Sequence, residues 1–564
     1  MNTNSVLRSV VLALSVAACS SAATSGPSTA TSTGTPGPTP VATPGVATVT
    51  LAAATDVTAS LTSIGAIVGT PTGFAMVGST TSEDPTFSLE IGSADGSRWQ
   101  RLDASPLGGL AGVAAGPRGW VGLSQHSANP GGAGLTTTIW YSADGLAWSE
   151  VPDQAGIGVS FPGPVTSSAG GAGFAVVGQY DDAGTSYPTV WTSIDGTHWN
   201  EADGLRQIGI DRVLVLNKGF IATASGASGS TASAFASADG VSWTAIVSQP
   251  FDATNSSAGS IAAMVGFDSR LATLIVGPTT GAIAVWTATP EVVNGTLTVP
   301  WQAHPEATSA FDSAGISGGS MGASAAVVLG YDRVTLQPLA WTSSDLVSWQ
   351  RTDLDEATFD GGARDSVAAG PSGFVALGLA ANLSGDLQTK IWHSVDGTAW
   401  QLADGDPLGS LPADPSGPCP EPPADVLGFL AMAPALWPTC FGDRTLTVTG
   451  YVADCGGCGG ASAETGEPSW LISPLGYSAF WLNPAFIQAD TGYGGFGVDI
   501  DPAHPVSVPP VNTHVALTGH FDDPAASTCR LVPNAGYIGG LLPPAWAIAR
   551  CRKEFVVTAI RILG

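Results

Sequence analysis

The sequence predicts an all-β protein: a long array of repeated four-stranded units, then a small, cysteine-bearing β-barrel-like domain. Three observations carry this. Only 11% of the 564 residues are charged, against 73 Gly, 41 Pro and 17 Trp. That composition suits short strands and tight turns, because surface helices need Lys and Glu on their wet faces. A motif closed by Trp returns about every fifty residues. Six of the seven cysteines follow the last repeat, and none falls inside the array.

The repeated unit ends in an aromatic or apolar residue followed by Ser-x-Asp-Gly-x-x-Trp. It occurs as Ile91 with Ser93, Asp95, Gly96 and Trp99, then as Trp140 with Ser142, Asp144, Gly145 and Trp148. Further copies are Trp191 with Ser193, Asp195, Gly196 and Trp199, and Phe235 with Ser237, Asp239, Gly240 and Trp243. Another is Trp392 with Ser394, Asp396, Gly397 and Trp400. A sixth copy has Trp341, Ser343, Asp345 and Trp349, with Leu346 in the Gly position. A seventh is eroded: Trp286 and Trp301 remain, joined by a longer turn through Asn294-Gly295. About 25 residues upstream of most closing Trp residues lies a short β-type run opened by Gly, as in Gly73-Phe74, Gly119-Trp120, Gly173-Phe174, Gly219-Phe220 and Gly373-Phe374. One unit therefore reads as strands at Leu110 to Ala115, Gly119 to Ser124, Thr136 to Ser142 and Ala147 to Val151. Four strands at this period are the pattern of a propeller blade, and seven copies predict a seven-bladed β-propeller over residues 48–405. Val46 to Leu51 is a candidate extra strand for the last blade.

The first fifty residues carry an address. Met1 to Arg8 is short and polar, Val10 to Leu14 is apolar, and Val16-Ala17-Ala18-Cys19 follows Ser15. This pattern marks residues 1–18 as a signal peptide and not a membrane span. The last four residues resemble the bacterial lipobox, with Val16 where the family favours Leu. The resemblance implies cleavage before Cys19 and lipidation of its sulfur. Residues 19–47, rich in Ser, Thr, Ala, Gly and Pro, then read as a flexible tether. The expected location is exported and membrane-anchored, on the cell surface or in the envelope.

Charge narrows the partners. There are 45 acidic against 18 basic residues, for a net −27, and three lysines in all: Lys218, Lys390 and Lys553. A nucleic-acid binder needs cations to displace the counterions around phosphate, so no nucleic-acid partner is expected. Mean hydropathy is +0.24, but the apolar residues are broken by turns, and no mature stretch reaches the length of a spanning helix.

The Ser-x-Asp-Gly-x-x-Trp element resembles the Asp-box, or bacterial neuraminidase repeat, of sialidases, sortilin-type receptors and other propellers, although it is one residue shorter than the usual form. The resemblance covers about residues 55 to 405 and implies a sialidase-like fold, with the element on the hairpin between outer strands, away from the central channel. It does not carry an activity, because such proteins share a scaffold and not a chemistry. The box residues have structural work of their own: Ser and Asp bond turn N–H groups, Gly takes positive φ, and Trp packs on the sheet.

An enzyme reading lacks its parts. Sialidases resemble one another in an Arg triad, a Tyr/Glu pair and an Arg-Ile-Pro motif. Nine propeller arginines are present: Arg98, Arg101, Arg118, Arg206, Arg212, Arg270, Arg333, Arg351 and Arg364. No Arg-Ile-Pro occurs, and tyrosines are few. No nucleophile elbow, zinc motif or phosphate loop appears in the propeller, so no catalytic residue, metal or cofactor is assigned.

Residues 406–423 form a Pro-rich connector, and 424–564 a second domain. Cys419, Cys440, Cys455, Cys458, Cys529 and Cys551 are disulfide candidates in an exported chain. Cys529 with Cys551 is the first pairing to expect, with Cys419–Cys440 and Cys455–Cys458 completing the set. Cys455-Gly456-Gly457-Cys458 could instead be a redox or zinc motif, but it lies in a Gly-rich loop without a second close pair. Strand-like runs at Thr445 to Tyr451, His514 to His520 and Glu554 to Ile562 resemble those of an OB-fold. The expected function is recognition of an extracellular protein or glycan by an anchored binding or scaffold lipoprotein. The alternative is an extracellular glycoside hydrolase of sialidase-like fold.

Overall fold

The structure is a computed structural model. It describes residues 48–54, 61–80, 87–127, 135–152, 171–182, 185–206, 208–210, 212–224, 233–247, 250–251, 260–277, 281–335, 337–354, 367–381, 387–404, 418–432, 435–442, 444–453, 470–473, 496–501, 503–510, 513–522, 548–549 and 552–563. The chain divides into Met1–Gly45, which lies outside the described residues with Cys19 and most of the tether, and Val46–Gly564.

The protein is mostly β. Seven antiparallel sheets follow one another among the described residues, one per repeat. Sheet one is Leu61–Gly69, Phe74–Thr80, Phe87–Gly92 and Trp99–Asp103. Sheet two is Leu110–Gly116, Gly119–Ser127, Leu135–Ser142 and Ala147–Glu150, within three residues of the strands read from the sequence. Sheet three shows Phe174–Asp182, Thr185–Ser193 and Asn200–Glu201. Sheet four is Arg212–Val215, Phe220–Ala224, Ser233–Ser237 and Thr244–Ala245. Sheet five is Ser260–Phe267, Arg270–Val276, Ile283–Ala288 and Trp301–Ala303. Sheet six is Ala314–Met321, Ala326–Asp332, Pro338–Ser343 and Gln350–Asp353. Sheet seven is Val367–Gly370, Gly373–Ala381, Leu387–Ser394 and Gln401–Leu402.

Each sheet buries both faces, which is why its strands read as near-continuous apolar runs. Sheets one and two share a core around Val77, Leu89, Val113 and Trp148. Shared cores recur between each later pair, for example Leu123 with Val176 and Leu329 with Phe374. Sheet seven also shares one with sheet one, through Ile67, Phe74, Val375 and Ile391. Asp404 N–H donates to Ser97 O at 2.7 Å across the same junction. First strands of neighbouring sheets lie against one another, as in one with two, five with six, six with seven and seven with one. Small residues allow this: a Cβ on Gly69 would meet the Ala369 carbonyl oxygen at 1.8 Å.

The N-terminal segment corrects one expectation. Thr48–Thr50 does not extend the last sheet; it pairs antiparallel with Ala147–Glu150 as a fifth, outermost strand of sheet two. Leu51 is then buried in the core between sheets one and two, at 6% exposure, and Ala53 bridges Leu102 of sheet one. Burying one Leu is worth about 2 kcal/mol, which helps to hold the strap at this junction.

The C-terminal domain is a closed five-stranded barrel in the order Leu446–Ala453, Trp470–Ser473, Phe496–Ile500, Phe555–Ile562, His514–His520. Only the third and fourth strands in that order run parallel. Two short helices, α1 (Val426–Leu430) and α2 (Leu436–Phe441), modify the all-β reading. Asp425 caps α1 by accepting the Gly428 N–H at 2.8 Å. Phe429, Trp437 and Phe441 from the helices join Phe521 and Phe555 in one aromatic core, with Phe521–Phe555 ring centroids 5.1 Å apart. Cys419 and Cys440 form a disulfide that ties the connector to α2. Cys455, Cys458, Cys529 and Cys551, with the pairings expected for them, lie outside the described residues. No helix among the described residues is long and apolar enough to cross a membrane.

The disulfide closes a loop of 21 residues, and its removal should destabilise the barrel by about 3 kcal/mol. Calorimetry of Cys440→Ser is expected to show one transition lowered while that of the seven sheets stays in place.

Candidate functional site

The sequence singles out six Ser-x-Asp-Gly-x-x-Trp turns, and the structure puts each between the last two strands of its repeat. Their side chains are spent on the turn itself. In sheets two, three, four, six and seven, the Ser hydroxyl accepts the N–H of the fourth motif residue at 2.8–2.9 Å. It also donates to the Asp carboxylate at 3.0–3.3 Å. That carboxylate accepts the next two backbone N–H groups, as Asp239 does from Val241 and Ser242 at 2.9 and 2.8 Å. In sheet one Ser93 Oγ takes the Arg98 N–H instead. In all six the Trp indole N–H donates to the fourth residue's carbonyl at 2.8–3.1 Å.

The fourth residue is left-handed throughout, with φ from 73° to 81° at Gly96, Gly145, Gly196, Gly240 and Gly397. Leu346 adopts φ 70° at the same place, at about 1 kcal/mol of strain. Its side chain is buried in the core between sheets five and six, which offsets the strain.

Four of the six turns are also wedges seated against the preceding sheet, whereas Gly145 faces Trp120 of its own sheet. A Cβ on Gly196 would meet Tyr141 of sheet two at 2.6 Å, one on Gly240 would meet Thr192 of sheet three at 2.5 Å, and one on Gly397 would meet Val327 of sheet six at 2.2 Å. Gly96 of sheet one repeats the relation against Val375 of sheet seven, at 2.1 Å. Thr192 Oγ1 further donates to Gly240 O at 2.8 Å. Where sheet five lacks the motif, a hairpin of Glu291–Val293 and Thr296–Thr298 turns through Asn294 and Gly295, φ 52° and 80°. Leu297 on this hairpin packs into the core of sheets four and five, so the eroded copy keeps the wedge and changes its chemistry. Sequence reasoning found the turn residues and missed the seat, because the residue one position before the neighbouring motif varies: Tyr141 under Gly196, Thr192 under Gly240 and, beside Val327 and Val375, Thr342 under Gly397 at 3.1 Å and His393 under Gly96 at 3.3 Å.

The arginines are distributed in the same way. Arg101 pairs with Glu90 at 2.6 Å, both side chains buried, and Arg206 with Glu201 at 2.6 Å. Arg351 spans Asp332 and Asp353. Arg118 of sheet two donates to Gly171 O and Ile194 O of sheet three. Arg270 of sheet five repeats this clamp on Ala323 O and Ser344 O of sheet six. Arg101, Arg118, Arg206, Arg270 and Arg351 are thus engaged with separate partners, and Arg364 lies outside the described residues.

Where the first strands of neighbouring sheets meet, the described residues are mostly apolar or small. Leu110–Gly116, Ser260–Phe267, Ala314–Met321 and Val367–Gly370 carry no ionisable side chain, and Arg212 alone does so among the described first strands. Bulges interrupt these strands at Leu61/Ser63, Leu110/Gly112, Ile261/Ala263 and Ile316/Gly318, near their starts, where they splay the strand ends. No three His, Cys, Asp or Glu side chains among the described residues converge as a metal site.

The turn carboxylates are held below the usual range. The Ser93 hydroxyl leads this effect at Asp95, and backbone N–H groups lead it at Asp144 (Ala147) and Asp396 (Thr398). At Asp195 and Asp239 burial opposes ionisation, but the His198 and Ser242 N–H groups and their neighbours outweigh it. The Ser348 N–H leads at Asp345, which falls to about 2. Folding thus favours the ionised forms, so their contribution is complete above the unfolded-chain value near ~4 and is lost as pH falls towards the folded values. The unfolding temperature is expected to drop between about pH 4 and pH 2. Asp239→Ala, which strands two N–H donors, should flatten that drop and cost about 1 kcal/mol at neutral pH. Gly240→Ala should cost more, about 2 kcal/mol or above, because it adds φ strain to the clash with Thr192. Thermal melts across pH for the three proteins check both statements.

No protein-family model matches the sequence, and no curated protein matches it. Among solved structures the chain is similar to the β-propeller domain of the Trilobed protease from Pyrococcus furiosus, at 6% identity and TM-score 0.40, covering 61% of this chain and 97% of that one. It is similar at 8% identity and TM-score 0.40 to an acylaminoacyl peptidase of Pyrococcus horikoshii, covering 61% of this chain and 52% of that one. A puromycin-hydrolyzing peptidase of Mycobacterium tuberculosis gives 12% identity and TM-score 0.40, covering 64% and 57%. The chain spans little more than half the length of these two peptidases. The likeness is weak and says nothing of what this chain does.

Proposed function

We propose that residues 48–404 form a closed seven-bladed propeller of Asp-box-like units, carried on a lipid-anchored tether from Cys19, and that it recognises an extracellular protein or glycan without catalysis. One observation carries the non-catalytic part. The Ser, Asp and Trp residues that look reactive in the sequence are all consumed by turn hydrogen bonds and inter-sheet seats, while the converging first strands offer backbone and small side chains. Closure is supported by the core shared between sheets seven and one and by the Gly96 wedge, which repeats there the contact made elsewhere. The barrel's strand order, with one parallel pair, supports the OB-like reading of the second domain. Ligands of propellers commonly meet loops on a rigid scaffold, and the loops beside the bulged strand starts are the region to probe.

Two measurements test the reading. The mature fragment from residue 47 is expected to bind a glycan array or a protein partner and to leave fluorogenic sialosides and other glycosides uncleaved. Turnover abolished by a carboxylate substitution would replace recognition with hydrolysis. Separately, Cys19→Ala should move the exported chain from the membrane to the soluble fraction, and retention at the membrane would remove the lipid anchor.

A further inference from the structure

We propose that the outer face of the barrel over Leu446–Ala453, His514–His520 and Phe555–Ile562 binds an acidic saccharide of the uronic-acid type. Arg561 takes the carboxylate, and the Tyr451–His514 ring pair takes the sugar. This is a second site, separate from the recognition proposed for the seven sheets and independent of it.

The face follows from strand alternation. Val448 and Val452 on the first strand, and Val515 and Leu517 on its neighbour, turn into the barrel core. The residues between them therefore turn outward. Cross-strand pairing sets these side by side: Thr447 with Thr518, Thr449 with Ala516, and Tyr451 with His514. Arg561 follows Ile560, which packs against the same core, and so it joins the outer face, paired with Ala516 from the other side. At one end the Tyr451 and His514 rings stack, with centroids 4.6 Å apart and planes 19° from parallel. At the other end Thr447 Oγ1 and Thr518 Oγ1 lie 3.3 Å apart. Ala516, small and buried, is the floor between them, while Thr447 and Arg561 are exposed.

Charge selects the occupant. The chain holds 45 acidic residues, yet these three strands hold none, and Arg561 is their one guanidinium. An acid-free face with a single fork of N–H donors is complementary to an isolated carboxylate. A nucleic acid needs cations along its whole run of phosphates, and one Arg in a chain of net charge −27 does not supply them. An acidic peptide commonly docks on a sheet through main-chain groups at an open edge. Here His514–His520 is paired on both sides, so the face offers side chains only. Those side chains are ring surface, hydroxyls and the guanidinium, which match the C–H face, hydroxyls and carboxylate of an acidic sugar. The site uses neither Trp470–Ser473 nor Phe496–Ile500, the second and third barrel strands, whose counterparts carry the binding face of OB-folds.

Titration calorimetry of the full-length chain with trigalacturonate tests the site. Saturable binding is expected, absent for the trimethyl ester of the same trimer, which has the sugar and lacks the charge. Arg561→Gln and Tyr451→Ala should each weaken it about tenfold with the unfolding temperature unchanged, and Arg561→Lys, which keeps the charge and loses the fork, should fall between. Unaltered affinity in Arg561→Gln and Tyr451→Ala would move the saccharide elsewhere on the chain, the seven sheets included, and overturn this site. No binding of trigalacturonate, or of any uronic-acid oligosaccharide across an array, would overturn the ligand class. Arg561-dependent binding of hexaglutamate or of a single-stranded oligonucleotide in its place would overturn it equally.

Discussion

The array rests on a hydrogen bond from an indole N–H to the carbonyl of a left-handed residue three positions earlier. That bond, made in six sheets at 2.8–3.1 Å, locks the tryptophan under its own turn. It also fixes the turn as a rigid plug with a flat, side-chain-free face at Gly. Because a Cβ on Gly96, Gly196, Gly240 or Gly397 would enter the neighbouring sheet, the same atoms that close those hairpins also set the spacing between sheets. Local turn chemistry and long-range packing are thus one interaction seen from two sides. A glycine opening the second strand completes the arrangement: a Cβ on Gly173, Gly219 or Gly373 would run into the carbonyl oxygen of the Ser that starts the turn, at 2.1–2.3 Å.

This coupling explains what was legible in the sequence. Ser93, Asp95, Gly96 and Trp99 and their equivalents are read from spacing alone, since every hydrogen bond within the turn connects residues at most five apart. The apolar second strands follow from their opening glycines. The seats were not legible, because Tyr141, Thr192, Thr342 and His393 share a position and no chemistry. Leu346 shows the limit from the other side: it breaks the pattern at the residue where Gly is most expected, and only its burial between two sheets accounts for it. The strap was misplaced because a three-residue strand has no periodicity of its own; its partner lies about a hundred residues away, chosen by a single leucine.

In the barrel, sequence alternation located Leu446–Ala453, His514–His520 and Phe555–Ile562, which carry most of its core. It passed over Trp470–Ser473 and Phe496–Ile500, four and five residues long, too short for alternation to register. Helices α1 and α2 were hidden by Gly428 and Pro438, residues that sequence rules count against helix. Their aromatic residues are nonetheless what closes the barrel's core. The candidate site shows the same division: which residues are consumed in turns was readable, whereas the inter-sheet work of Arg118 and Arg270 needed the coordinates.

The strap sets how force enters the molecule. Among the described residues, the chain first meets a sheet at Thr48, on the outermost edge of sheet two. Any tension on the N-terminus is therefore delivered to that edge and is shared between two sheets through Leu51 before it reaches the rest.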